Sequence, residues 1–124
     1  MISSMIGIAF DCVNADDLAN FYAQLLGWDK IISNEAYAAI RTPHGILLVF
    51  QTVENYVSPI WPWKDGAQQQ MAHIDFHVDN LPEAVEHAIQ CGAKKADVQY
   101  YEDAMVMLDP AGHPFCLSTE RISL

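Results

Sequence analysis

The chain repeats one order of structural elements twice, and this repeat restricts the folds open to it. Each half reads as alternating apolar residues, an Asn, a helical stripe, a glycine and three further strand-like segments. Asn14 thereby corresponds to Asn80, and the turn glycine Gly45 corresponds to Gly112. One helix covers only one face of a sheet, so each half leaves an apolar sheet face in need of a partner. We therefore predict an α+β fold in which two modules lie side by side around a concave surface.

Hydrophobic periodicity predicts the order β-α-β-β-β in each module. In the first module we expect strands at Ile6–Cys12, Lys30–Ser33, Tyr37–Arg41 and Ile46–Gln51. In the second module we expect strands at Ala72–Val78, Asp97–Tyr101, Met105–Leu108 and Pro114–Thr119. Each predicted helix follows an Asn that can cap its N-terminus and ends at a glycine, Gly27 in the first module and Gly92 in the second.

Residues 53–70 interrupt the repeat. This segment contains Trp61-Pro62-Trp63 together with further Pro, Gly and Gln residues. Tryptophan side chains are costly to leave in water, so an ordered connector is expected rather than a free linker. The 124 residues are accordingly interpreted as a single domain, with module one at about 5–52, the connector at about 53–70 and module two at about 71–119.

The charge balance narrows the classes of partner. Six Lys and Arg residues stand against sixteen Asp and Glu residues, which gives a net charge of −10. Nucleic-acid binding needs clustered cations, so no nucleic-acid partner is expected. No apolar run approaches the roughly 20 residues of a membrane span, so no membrane partner is expected either. The three cysteines have no C-x-x-C spacing and the N-terminus does not read as a signal peptide, which favours the cytoplasm.

Three segments of the sequence resemble the glyoxalase/bleomycin-resistance group. They are Asp11-Cys12 with the helix and turn that continue to Trp28, His73 through Leu81, and Asp109 through Leu117. Together they cover nearly the whole chain, which is similar to the glyoxalase-like branch of the vicinal oxygen chelate superfamily. The resemblance implies two tandem βαβββ modules that form a cupped mixed β-sheet with helices on the outer face, and frequently a homodimer.

The resemblance also implies where a metal ion would be held. Metal-using members place one ligand on the first and one on the last strand of each module, which corresponds here to Gly7, Val49, His73 and Cys116. Only His73 is a usual ligand, because glycine and valine have no donor and Cys116 stands where a carboxylate is usual. Divalent cations need several donors, so we predict no family metal and no other cofactor. A divalent metal at His73 with further ligands is the alternative.

Three polar residues alternate along the first strand of the second module. His73, Asp75 and His77 fall at i, i+2 and i+4, so their side chains share one face at a spacing of about 6–7 Å. A carboxylate between two imidazoles can fix their tautomers. These residues are candidates for orienting a ligand, with His73 or His77 also a possible general base. Surface histidines or a subunit contact would give the same pattern.

Gln51, Trp61 and Trp63 complete the candidate ligand-binding residues. The tryptophans can overhang the concave surface as platforms for a flat or cationic ligand, or they can fill the gap between modules. Gln51 can reach the floor of the concave surface or face solvent. The sequence has no Gly-x-Ser-x-Gly motif and no His-Glu-x-x-His motif, so no catalytic residue is assigned.

These observations favour a protein that binds a small organic molecule in the concave sheet surface without the family metal. The net charge and the aromatic connector leave a cationic ligand as one option. The alternative is a metal-dependent lyase, isomerase or dioxygenase of the vicinal oxygen chelate superfamily. A third interpretation is that the apolar positions serve only contacts between subunits or with a partner protein.

Overall fold

The computed structural model describes residues 1–120 and divides the chain into two compact units. The first unit is Met1–Tyr56 and the second begins at Val57. Each unit holds one four-stranded mixed sheet and one helix. The prediction of an α+β fold built from two tandem βαβββ modules is therefore confirmed.

The first unit carries a sheet in the order β1-β4-β3-β2. Its strands are β1 (Gly7–Cys12), β2 (Lys30–Ser33), β3 (Tyr37–Arg41) and β4 (Leu47–Thr52). β1 runs parallel to β4, whereas the β2–β3 and β3–β4 pairs are antiparallel. Such a parallel pair requires a crossover connection, and the helix α1 (Ala15–Leu26) provides it.

The ends of α1 are those that the sequence predicts. The Asn14 side chain accepts a hydrogen bond from the Asp17 backbone N–H at 3.0 Å, which satisfies one of the free donors of the first turn. Gly27 ends the helix in the left-handed region with φ 70°. The Tyr22 ring on the buried face of the helix stacks on Phe50 of β4 at a centroid distance of 5.3 Å. Aromatic packing between helix and sheet thus forms the centre of this core.

The edge strand β1 is less covered than its alternation predicts. Phe10 is half-buried and stacks on Phe50, but Ile6 is 78 % and Ile8 is 42 % exposed. The reason is the position of α1, which lies mainly against β3 and β4 and covers β1 only in part. The apolar face near the N-terminus therefore remains open in the single chain.

The second unit repeats the same arrangement with the order β5-β8-β7-β6. Its elements are β5 (Ile74–His77), α2 (Leu81–Cys91), β6 (Lys94–Lys95), β7 (Ala104–Leu108) and β8 (Pro114–Ser118). α2 begins after Asn80, whose side chain accepts from the Glu83 N–H at 3.1 Å, and it ends at Gly92. With 12 and 11 residues, α1 and α2 are too short to cross a membrane, and residues 1–120 contain no other candidate span.

The repeat extends to the register of strand pairs. Asp75 of β5 lies opposite Cys116 of β8, and the corresponding Ala9 of β1 lies opposite Val49 of β4. Both pairs are parallel, and both place the second residue four positions after the turn glycine of its module. The positions that the sequence aligns between the halves therefore occupy equivalent places in the two sheets.

One strand prediction is wrong. Asp97–Tyr101 is not a strand; the strand after α2 is the short β6 at Lys94–Lys95. The side chain of Gln99 explains the difference, because its Nε2 donates to the carbonyls of Ala96 and Val106 at 2.8 Å each. Its Oε1 also accepts from the Val106 N–H at 2.8 Å. A side-chain amide thus satisfies the backbone groups that a neighbouring strand would otherwise pair.

Candidate functional site

The polar face of β5 lines an open pocket in the second unit. The pocket has a volume of about 740 Å³. Its walls come from β5 and the preceding His73, from β8 with Glu120, and from Tyr101, Asp103 and Ala104, where the chain enters β7. His73, Asp75 and His77 all border it. Alternation along the strand produces this arrangement, because Ile74 and Phe76 are more buried than the three polar residues between and beside them.

His73, Asp75 and Cys116 form a compact cluster at one wall of this pocket. His73 Nε2 lies 3.2 Å from Asp75 Oδ1, and Cys116 is the register partner of Asp75 on β8. One ligand atom from each of the three side chains lies within 4.8 Å of the others. The His73 side chain is 37 % exposed, so the imidazole is held by the carboxylate while it still faces the pocket.

The Cys116 thiol is in its neutral form at physiological pH. Burial, the negative charge of Asp75 and a hydrogen bond to Asp75 together raise the pKa of Cys116 to about 11. A protonated thiol is a hydrogen-bond donor and a poor nucleophile. Cys116 therefore helps to hold the Asp75 carboxylate.

His77 forms a second pairing with an acidic residue. Its Nε2 lies 3.2 Å from Asp79 Oδ1, and its Nδ1 lies 3.3 Å from the backbone oxygen of Glu120. Both neighbours are acceptors, so the ring satisfies both of them when both of its nitrogens carry protons. His73, directly before β5, and His77, at the end of β5, thus each present an imidazole paired with a carboxylate.

The other predicted ligand-binding residues lie in different surroundings. Gln51 belongs to the first unit, where its Nε2 donates to Asp11 Oδ1 at 2.7 Å. Trp61 donates through Nε1 to the Val98 carbonyl at 3.1 Å, and its ring packs edge-on against Tyr100. Trp63 borders a second pocket of about 410 Å³ that also includes His73. The structure thus groups His73, Asp75 and His77, and it connects Trp63 to them through His73.

Sequence reasoning missed several residues of the pocket wall. Ser118 and Glu120 follow Cys116 at intervals of two, so the alternation of β8 would have placed them on the same face. Tyr101 and Asp103 come from the segment after α2 that is not a strand. No sequence signal identifies these two, because their position depends on the path that Gln99 imposes on this segment.

The family of the chain follows from a match over most of its length. A family model described as a glyoxalase-like domain matches residues 7–118, which include both sheets and both helices. The chain belongs to the glyoxalase-like domain family. No curated protein matches the sequence of this glyoxalase-like protein.

Solved structures share the fold of the glyoxalase-like protein. A glyoxalase/bleomycin resistance protein/dioxygenase family enzyme from Burkholderia phytofirmans PsJN aligns with a TM-score of 0.70 and 19 % identity, over 93 % of this chain and 97 % of that chain. The fosfomycin resistance protein FosX from Mesorhizobium loti aligns with a TM-score of 0.69 and 14 % identity, over 98 % of this chain and 96 % of that chain. A possible glyoxalase from Bacillus cereus aligns with a TM-score of 0.68 and 11 % identity, over 94 % of this chain and 99 % of that chain. These neighbours agree with the resemblance seen in the sequence.

The positions that correspond to the superfamily's metal ligands do not fit a metal ion in the usual way. A Cβ atom placed on Gly7 would lie 2.6 Å from the Leu47 carbonyl oxygen, so β1 and β4 approach too closely there for a side chain. Val49 has no donor atom. The first unit thus contributes no ligand at either position, and the donors that remain are His73 and Cys116, with Asp75 beside them.

Proposed function

We propose that this glyoxalase-like protein binds a small organic molecule, without a metal ion, in the pocket bordered by His73, Asp75 and His77. The observation that carries the proposal is the pocket itself. Its volume of about 740 Å³ falls in the range of small-molecule sites, and polar groups from β5 and from the preceding His73 converge on it. Phe76 and Tyr101 contribute aromatic surface to the same pocket, which suits a ligand with an apolar part.

Two observations support binding without a metal. The close approach of Leu47 to Gly7 leaves no room for a metal-ligating side chain at that position. The Val49 side chain has no donor atom. At the other end, the Cys116 thiol keeps its proton and bonds to Asp75. A metal ion at this cluster would have to displace that proton and break the hydrogen bond before it could be coordinated.

The polar cluster has a direct role in this proposal. Asp75 interacts with both His73 and Cys116, so the carboxylate fixes the imidazole and is itself fixed by the thiol. A hydrogen-bonding group held in this way loses little side-chain entropy when a ligand arrives. His73 therefore presents a pre-oriented ring to the ligand.

Binding by chelator-treated protein tests the proposal. Purified protein is stripped of metal, screened against a compound library of mixed charge by thermal shift, and followed up by titration calorimetry. We expect hits whose affinity falls about tenfold in His73→Asn and is unchanged in His87→Asn, a substitution on the exposed side of α2. A pocket that binds no compound without metal would refute the proposal.

A metal-dependent lyase, isomerase or dioxygenase is the second candidate function. The three donors of His73, Asp75 and Cys116 within 4.8 Å favour it, because three protein ligands and one open position are typical of catalytic zinc. Cobalt titration distinguishes the candidates, since thiolate coordination gives a charge-transfer band that Cys116→Ser would abolish. A stoichiometric band of this kind would favour the enzyme, and its absence would favour metal-free binding.

The proposal includes a homodimer in the cytoplasm. Four apolar residues at the N-terminus are 58 % or more exposed in the single chain: Met1, Ile2, Met5 and Ile6. Contiguous exposed apolar surface is typical of a contact region. Light scattering at several concentrations is expected to give a dimer mass that Ile6→Asp shifts toward the monomer, and a monomer mass at all concentrations would contradict the dimer.

A further inference from the structure

We infer that the ligand of this pocket is an organic cation that carries hydrogen-bond donors and a flat apolar part, with the cation among the pocket carboxylates and the apolar part against Trp63. This inference rests on the proposed function and adds the chemical class of the ligand. Four observations support it: the charge of the pocket wall, an exposed tyrosine ring, a second pocket connected through His73, and a buried acceptor in that second pocket.

The charge of the pocket wall selects against anions. Asp75, Asp103 and Glu120 all border the pocket, and among residues 1–120 no Lys or Arg does. The chain as a whole carries a net charge of −10, so the long-range field adds to the local one. A phosphonate or carboxylate ligand would meet three carboxylates here with no Lys or Arg from the described part of the chain beside them, whereas an ammonium group would meet acceptors.

An aromatic ring stands beside these carboxylates. Tyr101 borders the pocket and is 59 % exposed, so the residue is accessible to a ligand. A cation near a tyrosine ring face gains a cation–π interaction in addition to its contacts with carboxylates. This combination distinguishes the pocket from a merely acidic surface.

A second pocket of about 410 Å³ shares His73 with the first. Trp63 borders it and is 49 % exposed, and its Nε1 donates to the Ala67 carbonyl at 3.2 Å, which fixes the indole. Met71, also on this pocket, has φ 64°, a left-handed conformation that is uncommon for a non-glycine residue. The pocket is therefore bordered by a fixed aromatic ring and an unusual backbone conformation.

Gln70 adds an acceptor to the second pocket. Its Oε1 is buried and has no hydrogen-bond partner among residues 1–120, although the residue borders the pocket. A buried acceptor without a partner is unfavourable and rare in folded proteins. The last torsion of a glutamine side chain is soft, so the amide can rotate when a ligand donor approaches. A ligand N–H group would supply the missing donor.

Three probes with the same benzyl group test the charge of the ligand. Benzylamine, benzyl alcohol and benzylphosphonate are titrated into chelator-treated protein and followed by NMR shifts. We expect benzylamine to bind most tightly and to shift signals of Trp63 and Tyr101. Asp103→Asn and Glu120→Gln should each weaken benzylamine several-fold and leave benzyl alcohol unchanged, while Asp97→Asn, at an exposed site outside the pocket, should change neither.

Gln70→Met tests the acceptor separately. The substitution should weaken benzylamine about tenfold and leave the melting temperature of the free protein equal or higher, because it removes an unpaired buried acceptor. Gln68→Met, outside both pockets, should change neither quantity. A lower melting temperature with unchanged benzylamine binding would show a purely structural role for Gln70 and contradict the inference at this residue.

The failure of this inference is distinguishable from the failure of the proposed function. Benzyl alcohol or benzylphosphonate binding as tightly as benzylamine would overturn the assignment of a cation, as would the absence of benzylamine binding. The proposed function would survive either result if any library compound bound the metal-free pocket and lost affinity in His73→Asn.

Discussion

The Cys116 thiol and the Asp75 carboxylate face each other across the parallel pair of β5 and β8 and share a hydrogen bond. They lie 116 − 75 = 41 residues apart in the sequence, and only the register of the two strands brings them together. Their contact keeps the thiol protonated and holds the carboxylate beside His73. It thereby connects the electrostatics of the pocket wall to the orientation of the imidazole.

The first prediction concerns the titration of Cys116. In Asp75→Asn, the charge of Asp75 is removed, so the pKa of Cys116 should fall below its value of about 11. Burial is the largest cause and remains, so the pKa should stay above the ordinary 9.0. The pH dependence of alkylation measures this in a Cys91→Ser background. An unchanged pKa in Asp75→Asn would contradict the contact.

The second prediction concerns stability at alkaline pH. The folded-state pKa of Cys116, about 11, is above the ordinary value of 9.0, so the folded protein retains a proton that the unfolded chain releases. The resulting stabilisation is complete below pH 9 and is lost as the pH rises toward 11. Urea unfolding should therefore show that the difference in unfolding free energy between the protein and Cys116→Ser changes over this interval, with the protein losing stability relative to the variant. A pH-independent difference would contradict it.

The third prediction concerns Gln99. Gln99→Ala removes three hydrogen bonds to the backbone of Ala96 and Val106, so the free energy of unfolding should fall by about 2–4 kcal/mol. Chemical denaturation measures this loss. Gln90→Ala, on the exposed side of α2, is the matched control and should stay within about 0.5 kcal/mol. An equal effect of the two substitutions would show that Gln99 does not hold this segment.

The fourth prediction concerns Gly7. A Cβ at this position would lie 2.6 Å from the Leu47 carbonyl oxygen, so Gly7→Ala should force β1 away from β4 and cost about 1–3 kcal/mol of stability. Ala9→Ser, two residues along the same strand, is the control and should be nearly neutral. A Gly7→Ala protein as stable as the control would show that the position can accept a side chain.

Local signals in the sequence were sufficient for most of the fold. The cap residues Asn14 and Asn80 and the glycines Gly27 and Gly92 act within one helical turn, so sequence spacing defines both helices to within a residue or two. The shared face of His73, Asp75 and His77 also follows from alternation alone, although β5 itself begins at Ile74. What alternation could not show is that Gln99 replaces a strand partner, because hydrogen bonds from one side chain to the backbone leave no periodic pattern in the sequence.

The candidate site could be predicted only in part, for the same physical reason. Asp75 and His77 lie on β5 and His73 directly precedes it, whereas Cys116 joins them through strand register and Gln70 through the path of a loop. Register depends on the whole sheet, and loop conformation depends on contacts that are distant in sequence. The sequence therefore indicated one wall of the pocket and left the remaining walls to the structure.

Binding that is independent of a metal ion is the property on which the proposed function depends. The most direct measurement is titration calorimetry of one library hit against the same protein before and after chelator treatment, with the metal content of both samples determined by elemental analysis. We expect equal affinities and a metal content well below one ion per chain. A stoichiometric metal that is lost in His73→Ala, together with loss of ligand binding after chelation, would contradict the proposed function.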